Sequence, residues 1–320
     1  MIKLDINQVN LIALYTGNKG YSVCPCKCPC CSQKDVEGTY QGNLQQIKVI
    51  LDNFKNLEQL YFFGNPDPVV DADFCNKASK LAIENGVNVS YSTSGIGGVK
   101  KLKELLKGID SKNVDYISFS IDSVNPEKLS MLKGIKYPFD YAVDGIKWAI
   151  DSGYITKIQP TLWSSNYMDT ASIIEYFALL GVKKFSFHVG SVETNSLLTH
   201  QHLTPEQIKN VHSQIDDITK KYDVAVTCPV IYPSCGDNNE HKWYCMNPKE
   251  CYNWLVFLRE NGVFATHVPI MSEFDEKYCF DITKPIYVEE YNRQDFCPLS
   301  DYTAKTKTLC RYISKTWNNY

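Results

Sequence analysis

The chain has 320 residues, 44% of them hydrophobic and 22% charged, with a formal net charge of −3. That is the composition of a globular protein long enough for a large core, and the near balance of charge gives no general nucleic-acid-binding surface. No signal peptide is recognisable and no apolar run reaches membrane-spanning length, so the expectation is a cytoplasmic protein without a membrane association.

The elements then alternate along the chain. Val9 to Tyr15 is a short apolar strand. Leu44, Ile47, Leu51 and Phe54 recur at helical spacing, and Leu60 to Phe63 is a second strand. A helix begins near Ala72 and stops at Gly86, followed by a strand at Val87 to Tyr91. Val99, Leu102, Leu105 and Leu106 mark a helix ending at Gly108, and Tyr116 to Ile121 alternates as a strand. The next helix, around Tyr141 to Ile150, stops at Gly153 and precedes a strand at Ile155 to Leu162. A helix from about Thr170 to Leu180 stops at Gly181, and Phe185 to Val189 is the sixth strand. Glycine at these stops supplies the left-handed cap residue. Six strand–helix units in series predict an α/β fold with a parallel sheet, open or barrel-like, and helices outside it. Active sites in such folds lie at the C-terminal ends of the strands.

That rule places the segment CPCKCPCC, residues 24–31, on the active face, because it follows the first strand. The chain has thirteen cysteines, and without a secretory context they point to metal ligation rather than to a disulfide framework. Among the five thiols here, only Cys24, Cys28 and Cys31 give the spacing C-x3-C-x2-C. Three thiolates on a cubane [4Fe–4S] cluster leave one iron open to a small bidentate ligand. A zinc knot built on the Cys28–Cys31 pair is the alternative.

This spacing after a first strand resembles the radical S-adenosylmethionine (SAM) superfamily. The resemblance implies a partial (β/α)6 barrel of the TIM type, with the open iron taking the amine and carboxylate of SAM. The later strand ends agree with it. Gly64-Asn65-Pro66-Asp67-Pro68 is similar to the family's Gly-Gly-Glu-Pro segment, with Asp67 in place of glutamate; its backbone would hold the SAM amine. Ser92-Thr93-Ser94-Gly95 is similar to the family's Thr-Asn-Gly. Ser118 to Ser123 contains Ser120-Ile121-Asp122, close to Ser-Ile-Asp-Gly, whose serine and aspartate lie near the SAM carboxylate or ribose. Asn166, beyond Thr161-Leu162, stands where the family places an asparagine near the adenosine. The chain departs from the pattern at Cys30, where the family has an aromatic residue, and this leaves Cys26 and Cys30 as surplus thiols, expected to be small, partly buried and inert, with alternative ligation of a damaged cluster or a role beside SAM as the other readings. His188, ending the sixth strand, is the candidate for substrate contact.

Residues 1–200 therefore read as the barrel and 201–320 as a small cysteine-rich extension. Thr204-Pro205-Glu206-Gln207 is a helix start with a capping threonine and proline at the first position. Cys251, Gly262 and His267 mark a strand, a tight Asn261-Gly262 turn and a second strand. This hairpin resembles the auxiliary-cluster (SPASM or twitch) extension of radical SAM enzymes, with His267 where that extension has cysteine. Cys245, Cys251 and His267 are the candidate ligands of a second site. Three readings of it stay open: a second iron–sulfur cluster, zinc, and a metal-free core hairpin.

The family resemblance implies an enzyme that cleaves SAM reductively to a 5′-deoxyadenosyl radical, with a reducing partner such as flavodoxin or ferredoxin. The first strand begins by Val9, so the expectation is that no peptide-docking domain precedes it, which favours a small polar substrate or a peptide delivered by another protein. The specific expectation is a lyase similar to those that cleave the C–N bond of queuine and release its 7-aminomethyl precursor. The alternative is a maturase or dehydrogenase acting on a peptide or amino-alcohol with an auxiliary cluster.

Overall fold

The structure is a computed structural model that describes residues 2–3, 9–16, 24–29, 31, 40–64, 67–189, 203–231, 253–266, 280–284, 287–288 and 308–313. In chain order its strands and helices are β1 (Ile2–Lys3), β2 (Leu11–Tyr15), α1 (Leu44–Asn53), β3 (Gln59–Phe62), α2 (Ala72–Glu84), β4 (Asn88–Thr93), α3 (Gly98–Leu105), β5 (Val114–Phe119), α4 (Pro126–Lys133), α5 (Phe139–Asp151), β6 (Thr156–Ile158), β7 (Thr161–Leu162), α6 (Thr170–Leu179), β8 (Lys184–Ser186), β9 (His188–Val189), α7 (Pro205–Thr219), β10 (Ala225–Ile231), β11 (Asn253–Arg259), β12 (Gly262–Thr266), β13 (Phe280–Asp281), β14 (Tyr287–Val288) and β15 (Thr308–Ile313).

Eleven strands form one sheet in the order β13-β12-β11-β2-β3-β4-β5-β6-β8-β10-β15. From β11 to β10 every pairing is parallel; β12, β13 and β15 add antiparallel edges. This is the expected parallel α/β scaffold, a partial barrel of the TIM type. Side chains alternate across each strand, which sorts them by face. Ile12, Leu14, Leu60, Phe62, Val89, Tyr91, Ile117 and Phe119 are fully buried against the helices, in one cluster with Ile47 and Ile50 of α1, Leu102 and Leu105 of α3, and Ile146 of α5. Each such side chain contributes about 1.5–3 kcal/mol by leaving water. The other parity, including Tyr61, Ser90, Tyr116, Ser118 and Lys157, points to the inner face.

Three differences from the sequence reading have local causes. The strand expected over Ile155–Leu162 is two strands, β6 and β7, with Gln159 and Pro160 between them; Pro160 has no N–H to continue the main ladder. The strand expected at Phe185–Val189 divides in the same way, and β7 pairs with β9 in a separate parallel ladder. Helix α4 was not anticipated, although Asn125 caps it by accepting from the backbone N–H of Lys128, with Pro126 at its first position. The capping box at Thr204 and Gln207 formed as read; the hairpin also formed, but its two-residue turn is Glu260-Asn261 rather than Asn261-Gly262, because Gly262 already pairs with Arg259 as the first residue of β12.

Strands β10 and β11, both C-terminal to the six expected units, extend the sheet at its two sides. Besides the β11–β2 ladder, the hairpin is tied to the barrel by Gln46 on α1. Its side-chain amide donates to the carbonyls of Arg259 (2.8 Å) and Gly262 (3.1 Å), on either side of the turn. Gly42 completes the seat, donating its N–H to the carbonyl of Thr16 at 2.8 Å. A Cβ at Gly42 would lie 2.2 Å from Leu258. Among the described residues, no helix is long and apolar enough to cross a membrane.

Candidate active site at the strand ends

The cysteine loop sits on α4. The backbone N–H of Lys27 donates to the carbonyl of Lys133 at 2.8 Å. The next residue, Gly134, has φ of +64°, and a Cβ there would lie 2.0 Å from the carbonyl oxygen of Lys27. Only glycine allows the loop this approach. Within the loop, the N–H of Cys31 donates to the carbonyl of Cys28 at 3.1 Å.

The thiols divide by environment. Cys24, Cys28 and Cys31 are half-buried, whereas Cys26 is 3% exposed and belongs to the main hydrophobic core. Burial pushes the Cys24 thiol up to about 12, and the nearby Cys28 and Cys31 add to the rise. A contact in which Cys26 hydrogen-bonds to Cys28 lowers Cys28 to about 7, helped by Lys133, and raises Cys26. The three half-buried thiols share one short loop docked on α4, and thiolate donors suit a soft, multi-iron group. Among the described residues, no three His, Cys, Asp or Glu converge on one ion. A cubane does not ask for that, since each thiolate binds a different iron. Cys30 lies outside the described residues, as do Asn65, Cys245, Cys251 and His267.

The adjoining strand ends are tied together by buried polar groups. Asp67 accepts from the N–H of Val69 (3.1 Å) and from both the N–H and the hydroxyl of Ser94 (2.7 Å each). It thereby locks the loop after β3 to the end of β4. Gly64 has φ of +86°, and a Cβ there would lie 2.3 Å from the ring of Tyr15. The hydroxyl of Tyr137 donates to the carbonyl of Ser94.

A second network joins β5 to α4 and β7. The ammonium of Lys133, on the last turn of α4, donates to Asp122 at 2.7 Å and to the hydroxyl of Ser120 at 3.0 Å. The other oxygen of Asp122 accepts from the N–H of Thr161 at 2.7 Å. Asn166, fully buried, donates to the carbonyls of Asp122 (2.8 Å) and Thr161 (3.0 Å) and accepts from the N–H of Trp163 (2.6 Å). Its visible work is to hold these strand ends in register. Lys133 is the residue that sequence reasoning missed. Lysine before a helix-ending glycine reads as an ordinary partner of the helix dipole, whereas here its ammonium turns inward to Asp122 and Ser120.

The inner face divides into two arcs. On one, Ser118 donates to Gln159 at 3.0 Å and Thr227 to Ser186 at 2.9 Å. His188 is half-buried on the same arc, with Nε2 3.5 Å from the Ser186 hydroxyl. The other arc carries aromatic rings from β2, β3 and β5. Ser118, Ser186 and Thr227 are buried and satisfied within this arc, and His188 is its half-buried member.

The sequence model of the Radical SAM superfamily matches residues 19–177, about half of the chain. No curated protein is similar to it in sequence. Among solved structures, SuiB of Streptococcus suis superposes with a TM-score of 0.64 at 13% identity, over 84% of this chain and 63% of that one. SuiB bound to the precursor peptide SuiA gives 0.62 at 13% identity, over 80% and 58%. The anSMEcpe structure with AdoMet and the Cp18Cys peptide gives 0.53 at 14% identity, over 68% and 62%. The chain thus spans between 58% and 63% of the length of these structures. With the family model running from the cysteine loop through the strand–helix units to α6, the chain belongs to the radical SAM superfamily, whose cofactors are a [4Fe–4S] cluster and SAM.

Proposed function

We propose that this chain is a radical SAM enzyme in which Cys24, Cys28 and Cys31 hold the cluster and a hydrogen atom is taken from a peptide substrate in the barrel. When bound and reduced by one electron from a flavodoxin- or ferredoxin-like partner, the cluster supplies the cleavage of SAM to methionine and a 5′-deoxyadenosyl radical. The observation that carries the reading is the contrast between the half-buried Cys24, Cys28 and Cys31 and the core-buried Cys26, at the end of the barrel where Asp67, Ser120 and Asp122 are fixed.

The chain's own residues then have distinct tasks. Lys133 orients Ser120 and Asp122 toward one another. Asp67 fixes the backbone turn that would receive the SAM amine. His188 stands at the end of the polar arc, where it can orient a substrate group or hold a proton at Nε2. A peptide as substrate is supported by the peptides carried by the SuiB and anSMEcpe structures. A lyase acting on queuine or a similar deazapurine is the second reading, favoured by the ring-lined arc of the inner face, against which a planar heterocycle would stack. Both use the same cluster.

Anaerobic reconstitution with iron and sulfide, followed by dithionite and SAM, tests the reading. Methionine and 5′-deoxyadenosine should appear in equal amounts. SAM left intact by a fully loaded cluster contradicts it.

A further inference from the structure

Helix α4 presents its C-terminal end to the cysteine loop. The carbonyl of Lys133, on the last turn, accepts from the N–H of Lys27 at 2.8 Å, and a Cβ at Gly134 would lie 2.0 Å from the carbonyl oxygen of Lys27. A helix C-terminus carries a partial negative charge. By itself it is an unfavourable neighbour for a loop bearing three thiolates, and more so once a bound cluster takes up an electron.

The side chain of Lys133 opposes that charge. It is the basic residue of the last turn of α4 and is 4% exposed. Two of its three N–H donors go to Asp122 (2.7 Å) and to the Ser120 hydroxyl (3.0 Å). Asp122 does not cancel it evenly. One carboxylate oxygen takes the ammonium, and the other accepts from the N–H of Thr161 at 2.7 Å, which draws part of the negative charge toward β7. The thiols register the difference. After their mutual hydrogen bond and their burial, the next influence on both Cys26 and Cys28 is Lys133, which lowers each, and at Cys28 it outweighs the opposing effect of Asp122. Adding one electron to a cluster adds one negative charge, and a fixed cation in a water-poor site stabilises the reduced form.

We infer that Lys133 is a positioning residue that compensates charge for the cluster: from the end of α4 its ammonium offsets the negative helix end and eases uptake of an electron by the thiolate-bound iron. This rests on the reading of Cys24, Cys28 and Cys31 as cluster ligands and deepens it. Orienting Ser120 and Asp122 is then only part of what the lysine does.

The test uses the full chain reconstituted anaerobically, without SAM, and reads the midpoint potential of the cluster by EPR during titration with dithionite at pH 7. Asp122→Asn removes the anion and keeps the cation. The double variant Lys133→Met/Asp122→Asn removes both and leaves no buried charge unpaired, so it is the lysine-free form expected to fold. Relative to the parent, Asp122→Asn should be easier to reduce and the double variant harder. Their midpoints should differ by at least about 59 mV, a tenfold difference in the reduced-to-oxidised ratio for one electron. Loosened packing alone would move both in the same direction. Equal midpoints, or shifts of the same sign, overturn the inference. If the double variant assembles no cluster, Asp122→Asn alone decides, and an unchanged or lower midpoint overturns the inference. A parent that assembles no reducible cubane overturns the functional reading and this inference with it; a parent with a reducible cubane whose variants do not shift in opposite directions loses only this inference.

Discussion

Lys133 and Asp122 form a buried ion pair, 2.7 Å between nitrogen and oxygen, and the backbone carbonyl of the same lysine carries the cysteine loop through Lys27. One residue therefore joins the loop to the strand end that would face SAM.

Breaking that pair should be costly. Lys133→Met leaves the Asp122 carboxylate buried without its cation, a loss of about 3–5 kcal/mol. The pH dependence follows from the lysine. Burial alone would lower its pKa, but Asp122, Cys28 and Tyr137 outweigh it and hold the ammonium above its ordinary 10.5. A raised folded pKa gives stability that is complete below the unfolded value and lost as pH climbs through the folded one. Urea midpoints of parent and variant should thus differ throughout pH 7 to 9 and converge only above about 10.5. Convergence below pH 9 contradicts the pairing.

Gly64→Ala should destabilise the chain by about 2 kcal/mol or more. The residue has φ of +86°, and the added methyl would meet the Tyr15 ring at 2.3 Å. Thermal denaturation checks it, and a change below about 0.5 kcal/mol contradicts the close approach.

The strand–helix units were legible because each carries its own periodicity and its own stop; Gly86, Gly108, Gly153 and Gly181 all have positive φ. The triad of cysteines was read from spacing alone, and the structure leaves all three thiols half-buried. What lay beyond local pattern was pairing between distant segments. Nothing near Asn253 announces that β11 will run parallel to β2 with Asn253 opposite Leu11. The roles of Asp67 and Asn166 were hidden for the same reason, since their partners Ser94 and Asp122 come from other strands. Helix α4 was different: its Asn125-Pro126 start is a local signal that was there to be read.

Gln46→Ala should loosen the hairpin. It removes two donors from the carbonyls of Arg259 and Gly262, together worth roughly 1–3 kcal/mol. Hydrogen exchange in β11 and β12 should accelerate while β4 and β5 stay protected. Unchanged exchange there would mean that the seat on β2 holds the hairpin without this latch.

The most direct measurement of the central claim compares single alanine variants of Cys24, Cys26, Cys28 and Cys31 after anaerobic reconstitution, scoring iron and sulfide per chain together with 5′-deoxyadenosine formed from SAM. The Cys24, Cys28 and Cys31 variants should lose the cluster and the cleavage. Cys26→Ala should keep both, because that thiol is 3% exposed in the main core. Loss of the cluster in Cys26→Ala with retention in Cys24→Ala would contradict it.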